Sequence, residues 1–394
     1  MAKILFFYYI CKKCCNFVPI LKAILIYIVF LCICFTGCKE KQKSIVTPWG
    51  EVSGDTIPAS EDFTMSDIVT GGEMILLTVS GPDTYYDYRG RGMGTQYRVF
   101  EKFAMFLGVS LRVEVCKDSA DVRTRLDNGE GDIMALSSPQ SVEVRDSDLS
   151  VAFKRWYKPE ILAQVKKEER YLLSVASVRR KVYSPFMNKS AGVISRYDNL
   201  FKKYAPVARW DWRLLAAQCY QESCFDPNAR SWAGARGLMQ IMPGTASHLG
   251  LSMDQIHEPE ANIAAAARYI SELNASFGDV PSSERTYFIL AAYNGGGYHV
   301  RDAMALARKN GRNPYRWADV SHFLLLLRDP QYYNDPVVKN GYMRSNETFD
   351  YVERIRIRYA QYRGVPVGSL PSSGSSSTTP VLPQPAKKKH RFHV

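Results

Sequence analysis

The sequence predicts an α+β protein of several domains, in which a short α/β segment precedes an all-helical domain. Between residues 72 and 136, short apolar runs alternate with amphipathic helical patterns, which is typical of an α/β unit with a mainly parallel sheet. From Tyr197 to Arg363, apolar residues recur at three- and four-residue spacing and strand patterns are scarce. That periodicity predicts helices packed on one another.

Length and charge limit the classes of function. The chain has 394 residues, enough for two domains with their own cores, and its net charge is +12. A basic balance indicates nucleic acid, an anionic membrane or an acidic polymer as partner. The sequence carries no signature of a nucleic-acid-binding fold, so we expect no nucleic acid. No Cys/His spacing suits a metal site, and we expect no metal and no other cofactor.

Residues 1–37 have the pattern of a secretory signal peptide. Lysines precede an apolar run at 23–35, and Thr36-Gly37 then supplies small residues. Phe35-Thr36-Gly37-Cys38 resembles a bacterial lipobox with Phe where Leu is commoner, so cleavage before Cys38 would leave its thiol to carry a lipid. The alternative is an uncleaved anchor helix, for which the apolar run is short. The lysines are Lys3, Lys12, Lys13 and Lys22.

Two polar segments lie outside the predicted domains. Residues 38–70 lack clear periodicity and are interpreted as a tether. Residues 364–394 are rich in Ser and Pro and end in basic residues, a composition that cannot bury a core. We expect a disordered tail, with an electrostatic hold on anionic envelope polymer as the weaker alternative.

The α/β segment is predicted to occupy residues 71–190. Its elements follow from short apolar runs and from one helix with apolar residues three and four apart. The predicted strands are 74–79, 111–115 and 133–136, and the predicted helices are 97–107 and 122–126.

This segment resembles the first lobe of the periplasmic amino-acid-binding proteins. The matching features are the opening strand, the Tyr85-Tyr86 turn, the stretch FEKFAMFLGVSLRVE and the Gly-x-Gly-Asp-Ile turn at 129–133. Ser137-Ser138 and Arg145 look like that family's carboxylate-binding set, since a guanidinium grips a carboxylate through two bonds. The resemblance implies a peptide or amino-acid effector. A surface ion pair is the alternative for Arg145.

The lobe departs from that family in one respect. A complete binding protein has a second lobe of comparable size, and residues 154–189 leave little room for one. A ligand cleft needs two walls, so a lobe kept only for packing or for contact with a partner is the alternative.

Residues 191–363 form the predicted helical domain, which is organised around Glu222. Asp211 is a good N-cap for a helix over Trp212–Gln221. Leu215, Cys219 and Glu222 share one face of it, apolar until Glu222. A carboxyl at the end of an apolar stripe loses water, which raises its pKa, and it can then act as a general acid. A lone Glu at a helix end is more often solvated.

A longer pattern distinguishes these readings. ESxFDPxAxSxxGAxGLMQIMPxTA, from Glu222 to Ala246, resembles the soluble lytic transglycosylase family. Ala292-Tyr293-Asn294-Gly295 resembles that family's second signature, and the resemblance covers about residues 197–363. It implies a lysozyme-like all-α fold and peptidoglycan glycan strands as the partner.

The resemblance also implies roles for individual residues. Glu222 would protonate the glycosidic oxygen and then accept the proton of the muramic acid C6 hydroxyl, giving a 1,6-anhydro product. By the same resemblance, Gln240 and Tyr293 would contact the sugars, with Asn294 in support, and Met239 would line the groove. Ser223 and Ser231 would orient Glu222 or an N-acetyl group. Tyr351 resembles the tyrosine that occurs late in the family's sequence.

Other readings of the helical domain remain. Ordinary glycosidases use two carboxylates; Asp226 belongs to a turn in the family pattern, and Asp211 lies three helical turns from Glu222. A hydrolase on the same fold, and a solute-binding lipoprotein with an inactive helical domain, are the alternatives to a lytic transglycosylase. The family implies an outer-membrane lipoprotein facing the periplasm, attached through Cys38.

Two further expectations concern local structure. Cys219 and Cys224 flank Glu222 and either pair in an oxidising envelope or remain two small buried residues. Helices are also predicted over residues 259–277, 282–292, 298–310 and 347–363.

Overall fold

The computed structural model describes residues 64–136, 146–174 and 177–364, together with the backbone of three short strands. The predicted signal peptide, Cys38, Ser137-Ser138, Arg145 and the basic tail lie outside the described residues. The chain divides into two compact units, residues 1–61 and 62–394. In the first, β1 (Val46–Thr47) pairs antiparallel with β2 (Gly50–Glu51).

The α/β lobe at the start of the second unit has the predicted parallel sheet. The central strand, β3 (Glu73–Val79), pairs in parallel with β6 (Ser110–Cys116) and β7 (Ile133–Ala135), and β8 (Glu143–Val144) adds an antiparallel edge, giving the order β6-β3-β7-β8. The elements are α1 (Met65–Gly71), β3 (Glu73–Val79), β4 (Tyr86–Tyr88), β5 (Arg91–Met93), α2 (Thr95–Leu107), β6 (Ser110–Cys116), α3 (Ser119–Asp127), β7 (Ile133–Ala135), β8 (Glu143–Val144), α4 (Ser147–Trp156) and α5 (Pro159–Leu172).

One face of this sheet buries the apolar stripe of α2. Phe100, Phe103 and Ala104 pack there with Leu76 of β3, as the three- and four-residue spacing predicts. The opposite face packs Val122 and its neighbours of α3 in a smaller cluster. Helices on both faces of a parallel sheet bury the apolar side chains that its strands present on each side.

The lobe begins earlier and ends earlier than the predicted span 71–190. Ile68 of α1 is buried in the lobe core, so the last residues of the predicted tether are part of the folded lobe. Residues 177–190 pack on the helical domain instead: the Tyr183 amide donates to the Cys224 carbonyl at 3.3 Å, and Arg179 and Arg230 exchange backbone hydrogen bonds at 2.9 Å.

Helices α4 and α5 follow the sheet and complete the α/β lobe. Both pack on the sheet's core through Leu149, Phe153 and Val165. Their apolar residues recur at helical spacing, which is typical of amphipathic helices.

The helical domain surrounds one large core that includes Trp317, Phe201, Phe277 and Phe288, all fully buried. Each predicted helix is present, with its ends within three residues of the prediction. The helices are α6 (Asp198–Ala208), α7 (Trp212–Ser223), α8 (Pro243–His248), α9 (Pro259–Ser276), α10 (Ser282–Gly295), α11 (Gly297–Lys309), α12 (Trp317–Leu326), α13 (Pro330–Tyr333) and α14 (Ser345–Arg363).

The β4–β5 hairpin carries the lobe onto the helical domain. The Tyr88 ring stacks on Trp232 with centroids 6.0 Å apart and planes 9° apart, and its hydroxyl donates to Glu347 Oε2 at 2.5 Å. The Tyr342 amide donates to Ser80 Oγ at 2.8 Å. These contacts fix the hairpin beside the end of α7.

Within the part of the chain that the structure describes, no helix combines the length and the apolar character needed to cross a bilayer.

Candidate active site

Helix α7 ends with Glu222 at the edge of the domain core. Asp211 caps its start, accepting from the Arg213 amide at 2.8 Å. Leu215 and Cys219 are buried, so the stripe leads from the core to the Glu222 carboxyl as predicted. Burial raises the pKa of Glu222 to about 7, although the Tyr351 hydroxyl and the guanidinium groups of Arg89 and Arg180 oppose the rise. The carboxyl therefore exchanges a proton readily near neutral pH.

Tyr351 of α14 orients this carboxyl. Its hydroxyl donates to Glu222 Oε1 at 2.6 Å and accepts from Gln218 Nε2 at 3.1 Å. Burial, followed by the nearby Glu222 charge, raises the pKa of Tyr351 well above its usual range, so the phenol keeps its proton and remains a donor.

The chain reverses immediately after Glu222. Cys224 and Phe225 both have positive φ, 51° and 63°, a conformation that costs free energy in non-glycine residues. Asp226 holds the reversal by accepting from the Lys181 amide at 2.6 Å and the Asn228 amide at 3.0 Å. Asp226 is thus a turn residue, as the family pattern implies.

The loop at 237–240 carries Gln240 to the same place. Gly237 has φ of 79°, and a Cβ there would lie 2.3 Å from Asn262 Nδ2 and 2.5 Å from the Ile256 carbonyl oxygen. Asn262 Oδ1 accepts from the Met239 amide at 2.8 Å. The Gln240 side chain donates to the Ala229 and Gly237 carbonyls at 3.1 and 2.9 Å.

A cavity of about 470 Å³ opens beside Glu222, and we call it the tyrosine cleft. Tyr293 and Tyr269 lie in its wall with ring centroids 5.3 Å apart, and the Tyr293 hydroxyl donates to the Met239 carbonyl at 2.8 Å. Asn294 Oδ1 accepts from Thr348 Oγ1 at 2.8 Å. Aromatic faces with a few fixed polar groups are typical of ligand sites.

Five predicted site residues meet at this place, and three do not contact it as expected. Glu222, Gln240, Tyr293 and Asn294 line the tyrosine cleft, and Tyr351 bonds Glu222. The residues placed differently are Met239, Ser223 and Ser231.

Met239 belongs to the hydrophobic core, being only 1 % exposed. The prediction that it lines the groove is wrong, because Asn262 binds its backbone while its side chain joins the core. Ser223 Oγ donates to the Cys219 carbonyl at 3.1 Å, and Ser231 Oγ accepts from the Ala235 amide at 3.0 Å. Both hydroxyls brace backbone, and the orienting contact to Glu222 comes from Tyr351.

Cys219 and Cys224 are not paired. They are free buried thiols, as is Cys116, the third cysteine among the described residues. The Cys219 thiol lies 3.4 Å from the Leu238 carbonyl oxygen, so this sulfur faces the core beneath the 237–240 loop. The reading of two small buried residues therefore holds.

Sequence reasoning missed three residues at the site. Arg89, at the tip of the hairpin with φ of 53°, pairs with Glu347 Oε1 at 2.5 Å and lines the tyrosine cleft. Arg180 Nη1 donates to the Glu222 carbonyl at 2.9 Å. No pattern near Glu222 signals Arg89 or Arg180, because both come from distant segments. Glu347 lies four residues before Tyr351, and helical spacing could have indicated it.

The arrangement suits proton transfer. One carboxyl with a pKa near neutrality is held by a phenol, beside aromatic faces and amides. Among the described residues, no group of three or more His, Cys, Asp or Glu side chains is positioned to hold a metal ion.

Comparisons with known proteins give the following matches. Residues 199–315 match the family model described as Transglycosylase SLT domain. A membrane-bound lytic murein transglycosylase F from Aeromonas hydrophila subsp. hydrophila is 37% identical over 198 residues, covering 50% of this chain and 39% of the relative. Its counterpart from Citrobacter koseri is 45% identical over 172 residues, covering 43% and 32%.

A solved structure, the 70 kDa soluble lytic transglycosylase from Escherichia coli, is 25% identical and covers 45% of this chain and 26% of that chain, with a TM-score of 0.33. A superposition at that score says nothing about shared function, so the likeness rests on sequence. The chain spans about two fifths or less of the length of the relatives described here.

Proposed function

We propose that this chain, which carries a transglycosylase SLT domain over residues 199–315, is a peptidoglycan lytic transglycosylase. It would cleave the β-1,4 bond between N-acetylmuramic acid and N-acetylglucosamine and leave 1,6-anhydro-muramic acid ends. The observation that carries the proposal is the Glu222 carboxyl, with a pKa of about 7 and a 2.6 Å bond from Tyr351, in the wall of the tyrosine cleft. The names of the relatives are consistent with this activity.

The reaction needs one residue in two roles. Glu222 gives its proton to the bridging oxygen as the bond from that oxygen to C1 breaks. The resulting carboxylate accepts the proton of the muramic acid C6 hydroxyl while the C6 oxygen bonds to C1. This step closes the anhydro ring and restores the protonated acid. Tyr351 donates to the carboxylate formed between the two steps and so stabilises it.

The neighbouring carboxyls favour this scheme over a two-carboxylate hydrolase. Glu347 is bound by Arg89 and by the Tyr88 hydroxyl, each at 2.5 Å. Asp87, which also lines the tyrosine cleft, accepts from the Gly90 amide at 2.9 Å. Both accept hydrogen bonds from protein groups, and in Glu347 both carboxylate oxygens are occupied in this way, whereas an inverting hydrolase needs a carboxylate that holds a water.

Sugar contacts are assigned to side chains of the tyrosine cleft. Tyr293 presents its ring while its hydroxyl stays on the Met239 carbonyl, and Gln240 presents its amide oxygen while its nitrogen binds the loop. Asn294 supports them through Thr348. Ser223 and Ser231 act indirectly, by bracing the backbone that carries Glu222 and the 231–235 turn.

The same proposal places the protein in the cell envelope. The relatives are named membrane-bound, and we propose that a lipid on Cys38 holds the chain to the outer membrane, facing the periplasm. Cells fed a labelled lipid precursor should tag the wild-type chain and not Cys38→Ala; equal labelling of both would remove this attachment.

For the lobe, we propose a solute-binding origin and keep Arg145 as the residue that binds the carboxylate of a peptide or amino-acid effector. The parallel sheet with one antiparallel edge strand supports the origin. Calorimetry on the full chain with muropeptide should show a binding step that Arg145→Ala lacks, and an isotherm unchanged by the substitution would contradict the assignment.

The test of the proposed function is cleavage of purified sacculi. Glu222→Gln keeps the shape and the acceptor for Tyr351 but has no proton to give, so we expect release of soluble fragments to fall about 10²–10⁴-fold. Glu272→Gln, on an exposed glutamate of α9, is the matched control and should cleave like wild type. Cleavage by Glu222→Gln at the wild-type rate would show that the acid is another residue.

A further inference from the structure

A second cavity, of about 370 Å³, adjoins Glu222. It shares Arg89, Glu222 and Gln240 with the tyrosine cleft, and otherwise its walls differ. Where the tyrosine cleft is walled by aromatic and small residues, this cavity is lined by four arginines, and we call it the arginine cavity. The arginines are Arg89, Arg180, Arg344 and Arg354.

The arginine cavity has unbalanced positive charge. Its lining holds three carboxyl groups, those of Glu222, Glu347 and Asp350. Glu347 is taken by Arg89 at 2.5 Å, and Asp350 pairs loosely with Arg354 at 3.7 Å. Glu222 must be protonated to act as the acid. In that state the cavity carries more guanidinium than carboxylate charge.

Two of the guanidinium groups are not matched to a carboxylate. Arg180 is bonded to the backbone carbonyls of Gln221 and Glu222. Arg344 lies over the Tyr88 ring at 5.9 Å, and its buried Nε has no hydrogen-bond partner. Across residues 64–136, 146–174 and 177–364, neither has a carboxylate within ion-pairing distance. Guanidinium groups that line a cavity without a carboxylate partner have N–H donors left for an anionic ligand.

We propose that the arginine cavity binds the carboxylates of the stem peptide borne by the muramic acid at the scissile bond, so that the enzyme prefers peptide-bearing strands to strands stripped of peptide. This inference rests on the proposed function. The peptide branches from the sugar that reacts, so its first residues lie beside Glu222. Guanidinium forks bind carboxylates through paired hydrogen bonds, and Tyr88 and Trp232 offer apolar faces to the peptide backbone.

The binding test uses the full chain carrying Glu222→Gln and a synthetic stem tripeptide, with its carboxylates either free or amidated. Calorimetry should show binding of the free peptide, weakened about tenfold or more by amidation, because hydrogen bonds from a guanidinium to a carboxylate are stronger than those to a neutral amide. Added Arg344→Gln or Arg354→Gln should weaken it similarly. Arg358→Gln, one turn beyond Arg354 and outside the arginine cavity, is the matched control. Equal affinity for both peptides, or affinity unaffected at Arg344 and Arg354, would overturn the inference.

The second test measures turnover by chains in which Glu222 is intact. The ratio of kcat/KM on peptide-bearing strands to kcat/KM on amidase-stripped strands should exceed one and fall in Arg344→Gln and Arg354→Gln but not in Arg358→Gln. Peptide binding without any cleavage would support the role of the arginine cavity and contradict the proposed reaction. Cleavage without peptide binding or preference would support the proposed reaction and contradict the role of the arginine cavity.

Discussion

The Glu222 carboxyl is subject to opposing influences, of which burial is the largest. Removal from water favours the protonated form, while the Tyr351 hydroxyl and the charges of Arg89 and Arg180 favour the carboxylate. Their balance leaves the pKa near 7, where a group is able both to donate and to recover a proton. An acid that must perform both steps is best served by that balance.

Tyr351→Phe should move the pH dependence of the reaction. The phenol stabilises the carboxylate, so its loss raises the pKa of Glu222 further, and the alkaline decline of kcat/KM, expected near pH 7 in wild type, shifts to higher pH. Rate profiles across about pH 5–9 measure this. Tyr359→Phe on the same helix, whose hydroxyl bonds Asp211 at 3.2 Å, should leave the profile unchanged. A profile of Tyr351→Phe that matches wild type would contradict the orienting contact.

Glu222→Gln should stabilise the protein at alkaline pH. The pKa of Glu222 lies above its ordinary value of 4.5 in the folded state, so folding favours the protonated form. Wild type therefore loses stability as pH rises through about 7, by up to about 3 kcal/mol, and glutamine does not titrate. The difference in free energy of unfolding between the two proteins should grow between about pH 5 and pH 8 in urea melts. A constant difference would mean that the carboxyl is solvated.

At the scale of elements, the catalytic geometry depends on two irregular segments. The reversal after α7 and the 237–240 loop bring Glu222 and Gln240 to the wall of the same cleft, and both segments contain residues with positive φ. The loop is bound at its base by Asn262, whose side-chain nitrogen donates to the Ile256 carbonyl at 2.8 Å. We expect such segments to tolerate few substitutions, because their backbone atoms pack directly against neighbouring residues.

Gly237→Ala should destabilise the domain by about 2–4 kcal/mol. The new methyl group would meet Asn262 and the Ile256 carbonyl in a conformation that disfavours any side chain. Gly244→Ala is the control, since a Cβ there meets nothing within 4 Å, and its effect should stay within about 0.5 kcal/mol. Thermal or urea unfolding measures both. Equal stability of the two variants would show that the loop can relax.

At the scale of the whole molecule, the lobe and the helical domain share one site. Arg89 and Tyr88 come from the lobe, and Glu347 and Glu222 from the helices. The lobe therefore completes the wall of the tyrosine cleft and of the arginine cavity. The α/β lobe therefore has a structural role at the site that does not require a ligand of its own.

A double-mutant cycle between Arg89→Ala and Glu347→Ala should show coupling between the two parts. The pair is 25% and 33% exposed and also bonds Tyr88, so we expect a coupling free energy of about 1 kcal/mol in unfolding. The exposed pair Lys203–Glu260, 60% and 51% exposed, should give nearly none. Additive effects of the two substitutions would mean that the ion pair between Arg89 and Glu347 contributes nothing to stability.

How far the sequence predicts this molecule depends on the range of the interactions. The strand at 74–79 and the helices at 97–107 and 212–221 follow from local periodicity, and Glu222 follows from a dense motif. Arg89, Arg180 and the inward turn of Met239 depend on contacts between distant segments, which leave no local pattern. The lobe is predicted to extend to residue 190, whereas the pairing of Arg179 with Arg230 joins that segment to the helical domain, which is again a contact between distant segments.

The central claim is that Glu222 is the single acid and base and that the substrate's own C6 hydroxyl, not water, attacks C1. The most direct test is to digest sacculi in water enriched in heavy oxygen and to analyse the released muropeptides by mass spectrometry. The account predicts muramic acid ends that are one water lighter than the hydrolysed form and contain no heavy oxygen. Ends that are reducing and carry heavy oxygen at C1, with no anhydro product, would contradict it.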